Sequence, residues 1–439
     1  MYGSAFNAIV DSGGVLTVQS GGGASGTTIN SGGVEFVSGI VSGAVVNGGT
    51  ESVQPGGVEI GTVVNSGGID GVNSGGRASG AIINSGTQLV QSGGVASGTT
   101  LSGGGDQVVL SGGVASATTI SNGGQGGVYG SAFNAIVDSG GVLYVQSGAG
   151  ASGTTINSGC VEFVSGTVSG VVVNGGTESV QPGGVEIGTT VNSGGIDGVN
   201  SGARASSAII NSGTQFVLSG GLASGTTLTS GGDQVVLSGA VASVTTISNG
   251  GQGGVYGSAV SAIIRNGGML QVNSGGAASS LTVSSGGLDT IFSGGAASGS
   301  ILRGGLELLS GGTATATVVS SGGGQGVTRN GVAFGTVVSS GGEQALGGSG
   351  TPIATSTTVL SGGLLVVGTG VAVSAVVSNG GSASVNSLGN AKNTTVFSGG
   401  EAGAGLAAGD GTSSDPRTGR AASDWRGRRH SPPSAFRWS

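Results

Sequence analysis

The chain repeats itself at two scales, and few folds survive that constraint. Tyr2 to Val128 recurs, with scattered substitutions, as Tyr129 to Val255, an offset of 127 residues, and a degenerate third copy begins at Tyr256. Inside each copy a shorter unit starts at Ser12, Ser31, Asn47, Ser66, Ser85, Ser102 and Asn122, then re-enters at Ser139. The short period persists through Asn266, Ser285, Arg303, Ser321, Ser340, Ser361, Asn379 and Ser398, which gives about 21 units of roughly 18–19 residues. A fixed period near 20 residues is the signature of a stacked solenoid.

A well-formed unit is SGGVLTVQSGGGASGTTIN, Ser12 to Asn30. It holds two short runs rich in β-branched residues, Val15 to Val18 and Thr27 to Ile29, each closed by a Ser/Asn–Gly corner. Val, Ile and Thr suit a pleated, half-buried strand, while Gly and Asn tolerate the positive φ of a tight corner. Helices are excluded, because Gly at this density costs about 1 kcal/mol per residue in a helix relative to Ala. One unit cannot bury its own apolar side chains, but stacked units can. The expected fold is therefore all-β, a parallel β-helix with Val15, Val34, Val58 and Ile69 forming interior ladders. At about 4.8 Å per coil the rod is roughly 100 Å long. A propeller blade of about 40 residues does not fit the unit, and collagen would need Gly at every third position.

Composition narrows the function classes. Only 7% of residues are charged, yet mean hydropathy is +0.30 and the Val/Ile positions are periodic, so ordered burial is favoured over disorder. The net charge of −7 comes from sparse acids such as Glu35, Glu51, Glu59 and Asp70, whose spacing reads as solvated positions on a turn face. The repeats carry only Arg77, Arg204, Arg265, Arg303 and Arg329, with Lys392 the single lysine, so nucleic acid is not an expected partner. Cys160, the single cysteine, stands where the first copy has Gly33 and reads as drift at a turn; the alternative is an exposed thiol for covalent dimerisation.

No set of residues for catalytic chemistry emerges from the sequence. A polysaccharide lyase or hydrolase needs paired carboxylates, and the acids recur about one per unit. Without His in the repeats no His/Cys/acid metal set forms, and GGGDQVVL (Gly103 to Leu110) lacks the spacing of the calcium nonapeptide. No catalytic, cofactor-binding or metal-binding residue is expected, and no cofactor. Threonine pairs such as Thr27/Thr28, Thr99/Thr100 and Thr118/Thr119 must place one member inward by strand alternation, which reads as structural threonine.

The unit SGGxAxxTxINSGGxxxV resembles the AIDA-type repeat of autotransporter adhesins. The match is carried by Ser20 to Val37, Ser92 to Val109, Ser219 to Val236 and Ser274 to Ile291, and extends over about residues 1–405. The resemblance implies a right-handed β-helical passenger, displayed on a bacterial surface through an outer-membrane barrel or secreted. It also implies autoaggregation, biofilm formation or attachment to a host surface or glycan receptor. Self-association with identical passengers follows from it, as does O-glycosylation by a heptosyltransferase, which makes Ser12, Ser20, Ser31, Ser66, Ser74 and Ser92 candidate acceptors. A carbohydrate-active β-helix enzyme and a purely structural stalk are the alternatives. There is no signal peptide at the N-terminus, so export of this chain is left open; Met1, aligned with Val128 and Val255, reads as a valine codon taken as a start. Residues 406–439, with Trp425, His430, Trp438 and six arginines, read as a disordered or out-of-frame tail.

Overall fold

The computed structural model describes residues 3–404; Met1 and the 406–439 tail lie outside that range. Among the described residues there is no helix, and 64 short strands stack into a parallel β-solenoid of about 21 coils. Every pairing between named strands is parallel and joins a coil only to the one below and the one above.

Each coil has three strands rather than the two runs visible in the sequence. In the coil that starts at Val15, the first strand is Val15–Val18, the second Gly23–Ser25 and the third Thr28–Asn30. The second strand escapes notice because its three residues, typically Gly-Ala-Ser or Val-Ala-Ser, lack a β-branched run. Its central residue is a small one packed inward, Ala24, Ala78, Ala96 and Ala115 on successive or near-successive coils. The first strand contributes an inner column of Val18, Val37, Val53, Val72, Val90 and Val109, and the third contributes Ile29, Val46, Val64, Ile83, Leu101 and Ile120. Each fully buried Val, Leu or Ile of these columns stabilises the rod by about 1.5–3 kcal/mol relative to exposure.

The ladders differ from the expected ones by one residue. Val15, Val34 and Ile69 do stack on one another through Thr50, but they face outward, with Val15 64% and Ile69 45% exposed. Val58 belongs to the second strand, between Ile40 and Arg77. Because side chains alternate with period two, a one-residue slip turns every side chain to the other face.

Corners absorb the uneven unit length. Between Val18 and the next strand four residues intervene, Gln19 to Gly22, whereas Ser38 and Gly39 alone make the corresponding corner of the following coil. In the Ser-Gly-Gly corner the two glycines do different jobs. Gly32 takes φ +76°, and a Cβ on Gly33 would lie 2.3 Å from the Val10 carbonyl oxygen of the coil below. Cys160 occupies the position equivalent to Gly33 and is buried at 1% exposure, so it is no thiol available for dimerisation. The Val161 N to Gly141 O bond beside it is 3.4 Å, against 3.0 Å for Val34 N to Gly14 O in the first copy.

Candidate functional site

The second residue of the first strand points inward, two residues before the inner valine, and here the interior turns polar. Reading up the rod, this column runs Leu16, Glu35, Glu51, Asp70, Gln88, Gln107, Gly126 and then Leu143, Glu162, Glu178, Asp197, Gln215, Gln234, Gly253. Glu35, Glu51, Glu59 and Asp70 are all 0% exposed. The expectation that they are solvated turn residues is therefore corrected. Glu35, Glu51 and Asp70 share the inner face of the first strand with Val37, Val53 and Val72, and alternation carries them inside with those valines, while Glu59 points in as the central residue of Val58–Ile60.

The glutamines and threonines of this interior are matched to one another. Gln107 Nε2 donates to Gln88 Oε1 at 2.7 Å, and Gln88 Nε2 donates to Asp70 Oδ2 at 2.7 Å. Thr99 Oγ1 donates to Gln88 Oε1 at 2.9 Å and Thr118 Oγ1 to Gln107 Oε1 at 2.9 Å. The second copy repeats the column through Gln234, Gln215 and Asp197, and a third version runs Gln344, Gln325, Glu307. The reading of the inward Thr99 and Thr118 as structural threonine is met. Thr62 and Thr189 break the pattern, since both hydroxyls are buried without a hydrogen-bond partner.

At Thr62 three carboxylates converge. Glu51 lies directly below Asp70 in the first-strand ladder, and Glu59 enters from the second strand at a position where most coils carry Ala. One oxygen from each of Glu51, Glu59 and Asp70 lies within 4.8 Å of the other two, and Glu178, Glu186 and Asp197 reproduce the arrangement. Burial raises the Glu51 and Glu59 pKa values well above the ordinary range, and the neighbouring acids push them further. Asp70 is raised by burial to about 6, held lower by the hydrogen bond it accepts from Gln88. Burial alone takes Glu35 to about 7 and Glu162 to about 8, with Thr27 and Thr154 opposing. These groupings escaped the sequence reading because Glu51, Glu59 and Asp70 meet only once two coils are stacked. The usable signal was their common distance of two residues from Val53 and Val72, and the Glu in place of Ala at position 59.

The exterior is the converse of the interior. Residues 3–404 contain 16 acids, of which ten are buried, leaving six outside: Asp11, Asp106, Asp138, Asp233, Glu343 and Glu401. Six cations, Arg77, Arg204, Arg265, Arg303, Arg329 and Lys392, are exposed as well. The outer surface of the described rod is thus balanced in charge, and the whole acidic surplus sits inside.

Ser12, Ser31 and Ser66 occupy the corner before the first strand, and Ser20, Ser74 and Ser92 the corner after it; all six are exposed. Asparagines bind coil to coil along the outer end of the third strand, Asn30 Nδ2 to Asp11 Oδ1 at 2.8 Å and Asn65 Nδ2 to Asn47 Oδ1 at 2.8 Å. Exposed aliphatic side chains punctuate the same surface, among them Ile40, Ile60 and Ile82.

Residues 2–49 and 128–177 match the family described as "Adhesin of bacterial autotransporter system, probable stalk", named AIDA. No curated protein sequence matches the chain. Among solved structures, a TibC-catalysed hyper-glycosylated TibA fragment is 25% identical over 92% of this chain and 97% of its own, with a TM-score of 0.29. The Dettilon tailspike protein is 13% identical over 78% of this chain and 62% of its own, TM-score 0.15. PfbA, a surface adhesin of Streptococcus pneumoniae, is 7% identical over 83% of both chains, TM-score 0.11.

Proposed function

We infer from the two AIDA-type segments that this rod is a passenger segment of a bacterial surface adhesin, acting by association with identical rods. The observation that carries this reading is the family match at residues 2–49, repeated at 128–177 in the second copy. The balanced exterior supports it, since two such rods approach without like-charge repulsion. Parallel rods then make many weak contacts through exposed Ser, Asn and Ile side chains. Contacts of about 0.5–1.5 kcal/mol each add up along a rod roughly 100 Å long, and multivalency supplies the avidity.

The rod acts without catalysis in this reading. Its only clustered carboxylates, among the described residues, are fully buried, and a glycosidic bond would have no route to them. The six corner serines are proposed as O-glycosylation acceptors for a sugar transferase, a role supported by their exposure and by the repeat type. Display at the cell surface, with attachment to host glycans as a second use, belongs to the same proposal.

The test is to display the full chain on a non-aggregating bacterial strain and follow settling of the culture. Rapid clumping, weakened stepwise by deleting whole 127-residue blocks, is expected. Surface display with neither clumping nor adhesion to host cells would overturn the adhesin reading, and clumping indifferent to block deletion would favour a structural stalk.

A further inference from the structure

Two carboxylate groupings in the core have more oxygen acceptors than the chain has donors to give them. Around Glu51 the unpartnered buried atoms are both oxygens of Glu51, both of Glu59, Oδ1 of Asp70 and the Thr62 hydroxyl; around Glu178 they are both oxygens of Glu178, both of Glu186, Oδ1 of Asp197 and the Thr189 hydroxyl. That is six oxygens in each place. Thr62 lies against both Glu51 and Glu59, makes no hydrogen bond of acceptable geometry and is 0% exposed. No positive side chain lies within, because all six described cations are on the surface. A buried charge without a partner is among the costliest things a core can hold.

We propose that each grouping is a structural calcium site, Glu51/Glu59/Asp70 with Thr62 and Glu178/Glu186/Asp197 with Thr189, so that the rod holds two ions. The donors are all oxygen, which selects a hard cation over a thiophilic or imidazole-seeking metal. Calcium takes six to eight oxygens at about 2.3–2.6 Å in irregular geometry. Three carboxylate oxygens within 4.8 Å of one another have a common centre no more than about 2.8 Å from each, so a small inward movement of the side chains brings them to calcium's range. Magnesium demands near-ideal octahedral geometry at about 2.0–2.1 Å and keeps several waters, a poorer match to a site walled by three carboxylates and a hydroxyl. Gln88 and Gln215 fix the outer oxygens of Asp70 and Asp197 at 2.7 Å, leaving the Oδ1 atoms to face the centre.

The third copy provides an internal control. Asp289 and Glu307 stack in the same ladder, with Ser300 in place of the threonine, but Ala297 replaces the glutamate of the second strand. With two carboxylates instead of three, no ion is expected there.

Because the sites are sealed by the coils, the ion is captured as the rod folds. The full-length protein is therefore unfolded in denaturant with chelator and refolded at pH 7.5 in chelator, in calcium chloride or in magnesium chloride. After desalting, metal content and melting temperature are measured. Two calcium ions per chain, a raised melting temperature and no retained magnesium are expected. Glu59→Ala leaves one calcium, and Glu59→Ala with Glu186→Ala leaves none and removes the calcium-dependent shift. Alanine already fills the equivalent position in neighbouring coils at Ala78 and Ala96, and circular dichroism confirms folding. Wild-type rod that refolds without retaining calcium, with a melting temperature indifferent to it, overturns the proposal and assigns the acids as protonated carboxyls. Should the double variant not fold, the wild-type stoichiometry still decides.

Discussion

Gln88 donates from Nε2 to Oδ2 of Asp70 at 2.7 Å, one coil below it and wholly inside the rod. Its own Oε1 receives Gln107 at 2.7 Å and Thr99 at 2.9 Å. All the amide donors of this column point toward Asp70, and hydrogen bonds aligned in one direction reinforce one another in a low dielectric. The column thus favours the ionised form of Asp70 over those of Glu51 and Glu59.

Gln88→Leu should expose how much that alignment matters. It leaves Oδ2 of Asp70, the Thr99 hydroxyl and Nε2 of Gln107 without their partner, and each orphaned buried group costs about 1–3 kcal/mol. A loss of several kcal/mol in chemical denaturation is expected, whereas Leu is native elsewhere in the same column, at Leu16 and Leu143. An unchanged midpoint would show that the column is not a stabilising network.

Stability should rise on acidification when chelator is present. The buried carboxyls have folded pKa values above their ordinary ones, about 6 for Asp70 and Asp197, about 7 for Glu35 and about 8 for Glu162. A raised pKa means that the folded state binds the proton more tightly. Its contribution is complete below pH ~4 and is lost as pH climbs through 6 to 8. Melting temperature is expected to fall from pH 5 to pH 8. Glu35→Gln, which removes one ionisable group while keeping its shape, should recover about 2 kcal/mol at pH 8 and nothing at pH 4; a flat pH profile for the wild type would contradict this.

Val244 sits at φ +56° in the corner between the second and third strands, where Gly43, Gly98 and Gly225 stand in other coils. A β-branched residue is strained there. Val244→Gly is expected to stabilise the rod by about 1 kcal/mol, read as a higher unfolding midpoint; the same change at Val241, in a regular strand, should destabilise it.

Cys160→Gly restores the close approach that the first copy makes at Gly33. Relief of overpacking typically amounts to about 1–3 kcal/mol, so a raised melting temperature is expected along with a Val161 amide that exchanges more slowly. The wild-type thiol should resist a thiol reagent until the rod unfolds.

The sequence disclosed the solenoid and its period because repetition needs no register. It did not disclose which side of each strand faces in. The run Val34-Glu35-Phe36-Val37 has valine at both ends, so either parity places one valine inside. Choosing Val34 sends Glu35 to solvent; the rod chooses Val37 and takes Glu35 in. The second strand was hidden for a different reason, since Gly-Ala-Ser carries no β-branched signal and is held by its neighbours above and below. Contacts that exist only between coils, such as Glu51 with Asp70, have no trace in the spacing within one unit.

The join between the first two copies is a coil like any other. The strand Gln125–Val128 pairs below with Asp106–Val109 and above with Val142–Val145, in unbroken register. A 127-residue block can therefore be spliced in or out by recombination without leaving a seam. Each insertion lengthens the rod by seven coils, about 34 Å. The length of the rod becomes a quantity that a lineage can adjust by copy number, with no new fold to invent.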